Sequence, residues 1–194
     1  MGRIKSALEI ALERTESVKS DKTGIEHFEA RQQGKRLANE FLAGSASLEE
    51  ALKKYPKDQQ AAVKEGIFDV LKAQTTLPQS GEDIKRLELV GKGLQMILRD
   101  QPFAALYRQF IQAMTQYLDE TAQYEEAIKR QFAPKLRQKE EELARRLGRK
   151  LRLDPFQDPE FIAFYNQNMA SLRSGYQSLT EQIREQADSA FEKA

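Results

Sequence analysis

Cysteine and tryptophan are missing from these 194 residues, and histidine occurs once. A chain without cysteine forms no disulfide, offers no thiol nucleophile and builds neither a thiolate zinc site nor an iron–sulfur cluster. Its stability has to come from packing alone, which suits a reducing compartment, and a cytoplasmic location is expected. The lone histidine, His27, falls short of the paired Glu-x-x-His set that bundle di-metal sites require, and Gly24 rather than glutamate stands three positions before it. No Gly-x-Ser-x-Gly elbow gives it a serine to activate. It reads as an ordinary surface or boundary histidine, and no metal, cofactor or catalytic residue is expected.

Long apolar runs are missing too. The longest uncharged stretch, "FIAFYNQNMASL" (161–172), is 12 residues and partly polar, well short of the roughly 20 apolar residues needed to cross a bilayer. Arg3, Lys5, Glu9 and Glu13 interrupt the place where a signal peptide carries its apolar core. "MGRIKS" fits the short N-myristoylation pattern, but it leads straight into a helical segment and is read as coincidence. Nor is there a bulk excess of either charge: 31 basic and 30 acidic side chains leave a formal net charge of +1, so any attraction to a polyanion has to be local.

What is present is helical periodicity, without strand-like alternation. The reading is an all-α fold in which an N-terminal helical region, residues 1–78, is followed by a unit spanning 79–194: one more helix and then a long antiparallel, coiled-coil-like hairpin. The first helix is expected over about 3–20, with Ile4, Leu8, Ala11, Thr15 and Val18 on one stripe. Thr23 and Glu26 have capping-box spacing and predict a second helix, running to about 42 and stopped at Gly44. Ser47 and Glu50 repeat that spacing before a short helix ending near "KYP". Further helices are expected over about 57–74 and 82–99, separated by "TTLPQSGED". The "VGKG" in the last of these lacks the spacing and the Lys-Ser/Thr pair of a phosphate loop, so its glycines are read as points of close helix contact or of local weakness.

From Phe103 the pattern tightens. Phe103, Tyr107, Phe110, Met114, Tyr117, Thr121, Tyr124 and Ile128 follow alternating four- and three-residue steps, the repeat of a coiled-coil seam. Less regularly, Phe132, Leu136, Leu143, Leu147 and Leu151 continue it towards Leu153, with a kink or short break expected near Phe132 because Pro134 removes a backbone hydrogen bond. Two Asp-Pro steps then reverse the chain, with Asp158 as N-cap and Pro159 as first helical residue. Ile162, Tyr165, Met169, Leu172, Tyr176, Leu179 and Ile183 form the answering stripe. With the turn at 154–158, residues near 150 should face those near 163, and residues near 128 those near 185.

The clearest functional feature lies on this hairpin. Residues 129–152 hold ten Lys or Arg against three glutamates, Glu140 to Glu142, while 160–173 offer only Glu160 and Arg173 in return. Candidate contacts to a partner or to phosphates are Lys129, Arg130, Lys135, Arg137, Arg145, Arg146, Arg149, Lys150 and Arg152. Neither a helix-turn-helix nor a zinc finger accompanies them, so nucleic-acid binding here would be non-specific. The leading expectation is a non-enzymatic structural and protein-interaction module, self-associating because heptad stripes on long helices need covering. Its partner is then another copy or another helical protein. The alternative is non-specific nucleic-acid binding through the basic tip.

Overall fold

A computed structural model describes the backbone of residues 7–194 and the side chains from residue 23 onward. The readings that fall on residues 1–6, and on the side chains of Leu8, Ala11, Thr15 and Val18, lie outside the described residues. Six α-helices follow one another: α1 (Ala7–Leu42), α2 (Leu48–Lys53), α3 (Lys57–Ala73), α4 (Gly81–Leu98), α5 (Gln101–Leu147) and α6 (Pro159–Phe191), with a 3-10 turn at Pro155–Gln157 before the last. Among the described residues there is no strand, and the fold class is all-α.

The two helices expected before Gly44 are one. Thr23 and Glu26 sit inside α1; capping-box residue types are also compatible with a helix interior, and nothing between 20 and 23 forces the backbone out of helical geometry. At Ser47 the short helix starts where expected, although the serine side chain makes no cap bond. A true carboxylate latch appears on α4, where Asp83 Oδ2 accepts from the Gln79 and Ser80 amides at 2.9 Å each and from Ser80 Oγ at 3.1 Å.

The most extensive helix packing joins α1 to α3, and it rests on two glycines. A Cβ on Gly34 would lie 2.1 Å from the Val63 carbonyl oxygen, and one on Gly66 would lie 2.0 Å from that of Arg31. Each helix therefore seats its backbone against the other's, with Ala30, Ala38, Ala62 and Val63 buried around the contact. Arg31 straps its edge, donating from Nε and Nη2 to Asp69 Oδ2 at 3.0 and 2.7 Å and pairing with Glu65 at 3.1 Å. In α4, Gly91 faces the Tyr107 ring, and Gly93 faces Leu71 and Phe41, so the "VGKG" glycines do sit at close helix contacts. Burial pushes the Tyr107 hydroxyl far above the phenolic range, and it donates to the Leu87 carbonyl at 3.1 Å.

The long helix α5 opens at Asp100, whose side chain accepts from the Phe103 amide, and it runs through Pro134 without a break. One missing donor in 47 residues is tolerated where the flanking turns are held by packing, here through Phe132 and Lys135. The helix stops at Leu147, earlier than the expected 153, because Gly148 takes the left-handed conformation at φ 66°. Residues 149–157 then double back beside α5, where Leu153 N donates to Glu140 Oε1 at 2.7 Å.

That early reversal shifts the pairing of α5 and α6. Phe132 meets Phe161 at 5.3 Å between ring centroids, Tyr117 meets Tyr176 at 4.9 Å, and Lys139 bonds Asp158. Residues near 128 thus face those near 165 rather than 185. The buried stripe of α6 begins at Phe161, which is fully buried, and not at the exposed Ile162. Tyr124 also leaves the expected seam and stands 50% exposed.

Two apolar cores result. The larger draws on α1 to α4, on α5 from Phe103 to Met114, and on α6 from Ile183 to Ala190, with Phe191 stacked on Phe68 at 4.2 Å. The smaller, Ile128, Phe132, Phe161 and Met169, belongs to the two long helices alone. Together these define a helical body and a two-helix arm. At 1.5 Å per residue, the part of α5 beyond Tyr117 is about 45 Å long.

If the glycine contact between α1 and α3 is as tight as described, Gly34→Ala and Gly66→Ala should each cost about 3 kcal/mol, a fall in Tm of roughly 9 °C. Gly24, with nothing within 4 Å of its Cβ position, is the control: Gly24→Ala should be neutral or stabilise by up to about 1 kcal/mol. Thermal denaturation of the three variants checks this, and equal effects at Gly24 and Gly34 would refute the close approach.

Candidate functional site at the end of the arm

The ten cations of residues 129–152 fall into two groups, and the division follows from the reversal. On the body side, the lysines are paired within the arm. Lys129 Nζ lies 2.7 Å from Glu125 and 3.3 Å from Glu126 on its own helix, and 5.6 Å from the centroid of the Phe156 ring. Lys135 pairs with Glu160 at 3.1 Å and lies over Phe132. Lys139 is bound most tightly, at 2.6 Å from Asp158 and 2.7 Å from Glu160. The sequence alone suggests that the returning helix leaves this charge unneutralised; the structure corrects that, because reversal at Gly148 sets the start of α6 beside Lys135 and Lys139.

Asp158 is the centre of this knot. It caps α6, with Oδ1 accepting from the Glu160 amide at 2.9 Å and the Phe161 amide at 3.4 Å, while Oδ2 takes the Lys139 ammonium. Its side chain is buried. The adjacent ammonium holds the Asp158 carboxyl below its usual range against the opposing effect of burial, and Asp158 in turn raises Lys139. The aromatic cluster closes over the knot, with Phe156 edge-on to Phe161 at 5.1 Å and to Tyr165 at 5.4 Å.

Arg130, on the helix shaft, and the cations beyond the knot are free or only loosely paired. Among the described residues, Arg130, Arg137, Arg146, Arg149, Lys150 and Arg152 have no ion-pair partner. Arg145 has only a loose one, 3.8 Å from Glu141 with 79% of its side chain exposed. Arg145 and Arg146 occupy the last turn of α5, where positive charge complements the helix dipole. Arg149, Lys150 and Arg152 follow on the returning segment. Arg137 lies about two turns back on α5. With Arg152, Glu140 and Leu153 it lines a cleft of about 430 Å³, and with Lys150, Glu141 and Leu151 it lines another of about 250 Å³. The nine candidate contacts are therefore not one surface. Lys129 and Lys135 serve the arm's own structure, and six of the other seven gather at its end, with Arg130 apart on the helix shaft.

Two residues that build the site were not singled out from sequence. Glu140 appeared as part of an acidic run opposing the basic charge, yet its carboxylate pins Leu153 and so holds the returning segment against α5. Lys139 was counted in the charge total and not among the contacts; its role is the bond to Asp158. Had Asp158 been placed opposite Lys139, the pairing would have been legible. His27 is exposed, with Nε2 3.7 Å from Glu65, and among the described residues no group of three or more His, Cys, Asp or Glu is placed to hold a metal ion. Nor is any helix there long and apolar enough to cross a membrane.

These features define an all-α protein composed of a helical body and a projecting two-helix arm. The chain belongs to DUF6657, a family of unknown function, whose match covers residues 49–189 and so takes in α2 through most of α6, the arm and its tip included. No curated protein and no solved structure matches the chain.

The knot makes a pH-dependent contribution to stability with a definite sign. A carboxyl whose folded pKa is lowered stabilises the fold above its unfolded pKa, near 3.9, and loses that contribution as pH falls through the folded value. At pH 7 Asp158→Ala should cost about 2 kcal/mol through loss of the cap and the ion pair. Asp158→Asn, which keeps an acceptor for the cap, should cost less. Urea denaturation should show the gap between wild type and Asp158→Asn closing below about pH 4; a gap unchanged at low pH would refute the role assigned to the charge.

Proposed function

We propose that this protein is a non-enzymatic, cytoplasmic helical module for structural and protein–protein interaction, with the arm, a coiled-coil-like hairpin, as its contact-making part. One observation carries the reading: the arm has its own apolar cluster and pairs its inner lysines internally, yet of the six cations at its far end five have no ion-pair partner among the described residues and the sixth, Arg145, has only a loose one. A two-helix projection that served only to complete the body's core would end where that core ends, near Tyr117 and Tyr176.

Self-association belongs to this reading, with a second copy or another helical protein as the partner. Ile25 and Phe28 stand 59% and 61% exposed on α1. An open groove of about 440 Å³ between α5 and α6 is lined by Leu106, Phe110, Ala113, Leu179 and Ile183. Apolar surface of this kind is what a second copy covers. The ionisable groups in the body act as helix-to-helix ties, as Arg31 does with Glu65 and Asp69 or Lys72 with Asp188 at 2.6 Å, which supports a role without chemistry. The second reading, non-specific nucleic-acid binding, is favoured by the arginine-rich composition of the unpaired group.

Light scattering at low and high salt tests the interaction module. A dimer or larger species is expected, persisting at high salt if apolar faces hold it. A strict monomer at every protein and salt concentration would count against self-association.

A further inference from the structure

We infer that the end of the arm is a preorganised clamp for the phosphodiester backbone of nucleic acid, formed by Arg137, Arg145, Arg146, Arg149, Lys150 and Arg152. The inference rests on the second reading above and reduces its nine candidate contacts to the six that the fold leaves available and brings together.

Residues 143–153 contain five cations and no acid. Gly148 folds that run in two, so that Arg145 and Arg146 on the last helical turn lie across the turn from Arg149, Lys150 and Arg152. Arg137, about two turns back on α5, lines one cleft with Lys150 and the other with Arg152. The returning segment is not a loose tail, because Glu140 holds the Leu153 amide at 2.7 Å and Asp154 caps the 3-10 turn through the Phe156 amide at 3.0 Å. Charges fixed in place before binding lose less conformational freedom on contact than charges on a flexible chain. Glu140 is thus a positioning residue: it touches no phosphate but holds the two cationic rows together.

The chemistry of the six favours phosphate oxygens. Five are arginines, whose planar guanidinium meets a phosphate through two parallel hydrogen bonds, whereas an ammonium acts as a point charge. Such contacts read no bases, and nothing at the tip enters a groove in the manner of a recognition helix. A membrane surface fits less well, since Glu140, Glu141 and Glu142 lie on the same stretch of α5 and only Leu147 is a large exposed apolar side chain among the distal residues 143–153. An acidic protein would meet the same cations through its carboxylates, and the polyglutamate arm of the test below separates it from nucleic acid.

Fluorescence anisotropy of the full chain with labelled DNA duplexes of two unrelated sequences tests the clamp. Binding of both with equal affinity is expected, and with six phosphates neutralised the log–log dependence on salt should have a slope of about −5. Replacing Arg145, Arg146 and Arg149 with glutamate should reduce it to about −3 or abolish binding, with far-UV helicity unchanged. Should that variant lose helicity, Arg149→Gln alone takes its place, with an expected slope change of about one unit. Lys129→Gln, altering a cation already paired, should bind as wild type. Glu140→Ala should bind more weakly than Glu140→Gln, since both remove the charge and only glutamine retains an acceptor for Leu153. The inference is overturned by absence of duplex binding at low salt, by a salt-independent affinity, by wild-type binding in the arginine variants, or by tighter binding to polyglutamate or phosphatidylserine vesicles than to the duplex. None of these results alters the oligomeric state found by light scattering, so the clamp and the self-associating module fail separately.

Discussion

The reversal between Gly148 and Asp158 sets the register of the two longest helices, and most of the molecule follows from that register. With Asp158 bonded to Lys139 and capping α6, Phe161 is delivered to Phe132, Tyr176 to Tyr117 and, at the far end, Phe191 to Phe68 on α3. Moving α6 by one helical turn would carry its residues about 5.4 Å along α5 and break the aromatic pairs of both cores at once. The tip therefore does more than close a loop. It is the reference point from which arm and body are both assembled.

Between the two cores the seam turns polar. Tyr176 donates to Glu120 at 3.0 Å, and Thr180, buried, turns its hydroxyl back to the Tyr176 carbonyl. Among the described residues the Thr121 hydroxyl is buried without a hydrogen-bond partner. Burying polar groups returns less stabilisation than burying the same area of hydrocarbon. This middle stretch is accordingly the weakest part of the arm's attachment, held by one aromatic pair and one side-chain hydrogen bond between elements that are each well packed to either side. A cooperative body and a cooperative arm tip joined in this way form two stability units of unequal size.

The sequence disclosed the class of the fold and the places where local chemistry dominates. Asp100 and Asp158 cap their helices, and Pro102 and Pro159 enter them within the first turn, because capping depends on a few adjacent residues. Register was misjudged by about 20 residues because it depends on where α5 ends. The apolar pattern continues through Leu151, whereas Gly148 turns the backbone into a left-handed conformation before it. Phase suffered similarly: Ile162 fits a seven-residue repeat drawn back from Met169, but Phe161 is the residue that faces α5, and Tyr124 lies outside the seam for the same reason. Contacts between distant residues decide the phase at the start of α6, where the rings of Phe132 and Phe156 receive Phe161. The glycine contact of α1 and α3 left little mark on periodicity, since Gly34 and Gly66 act by what they lack.

The candidate site was legible as charge and illegible as geometry. Summing Lys and Arg over 129–152 treats the cations as equivalent, and the antiparallel return of the chain makes them unequal. A lysine beside a buried, amide-bonded carboxylate is held by several interactions at once, whereas an arginine on the last exposed turn is held by almost none. Those nearest the start of α6 therefore serve the fold, and those beyond it remain available. Net charge conceals this, since 30 acids against 31 bases cancel over the whole chain while the far end of the arm stays positive. An elongated shape preserves that separation: at about 45 Å, several Debye lengths at physiological ionic strength, acids in the body barely reduce the potential at the tip.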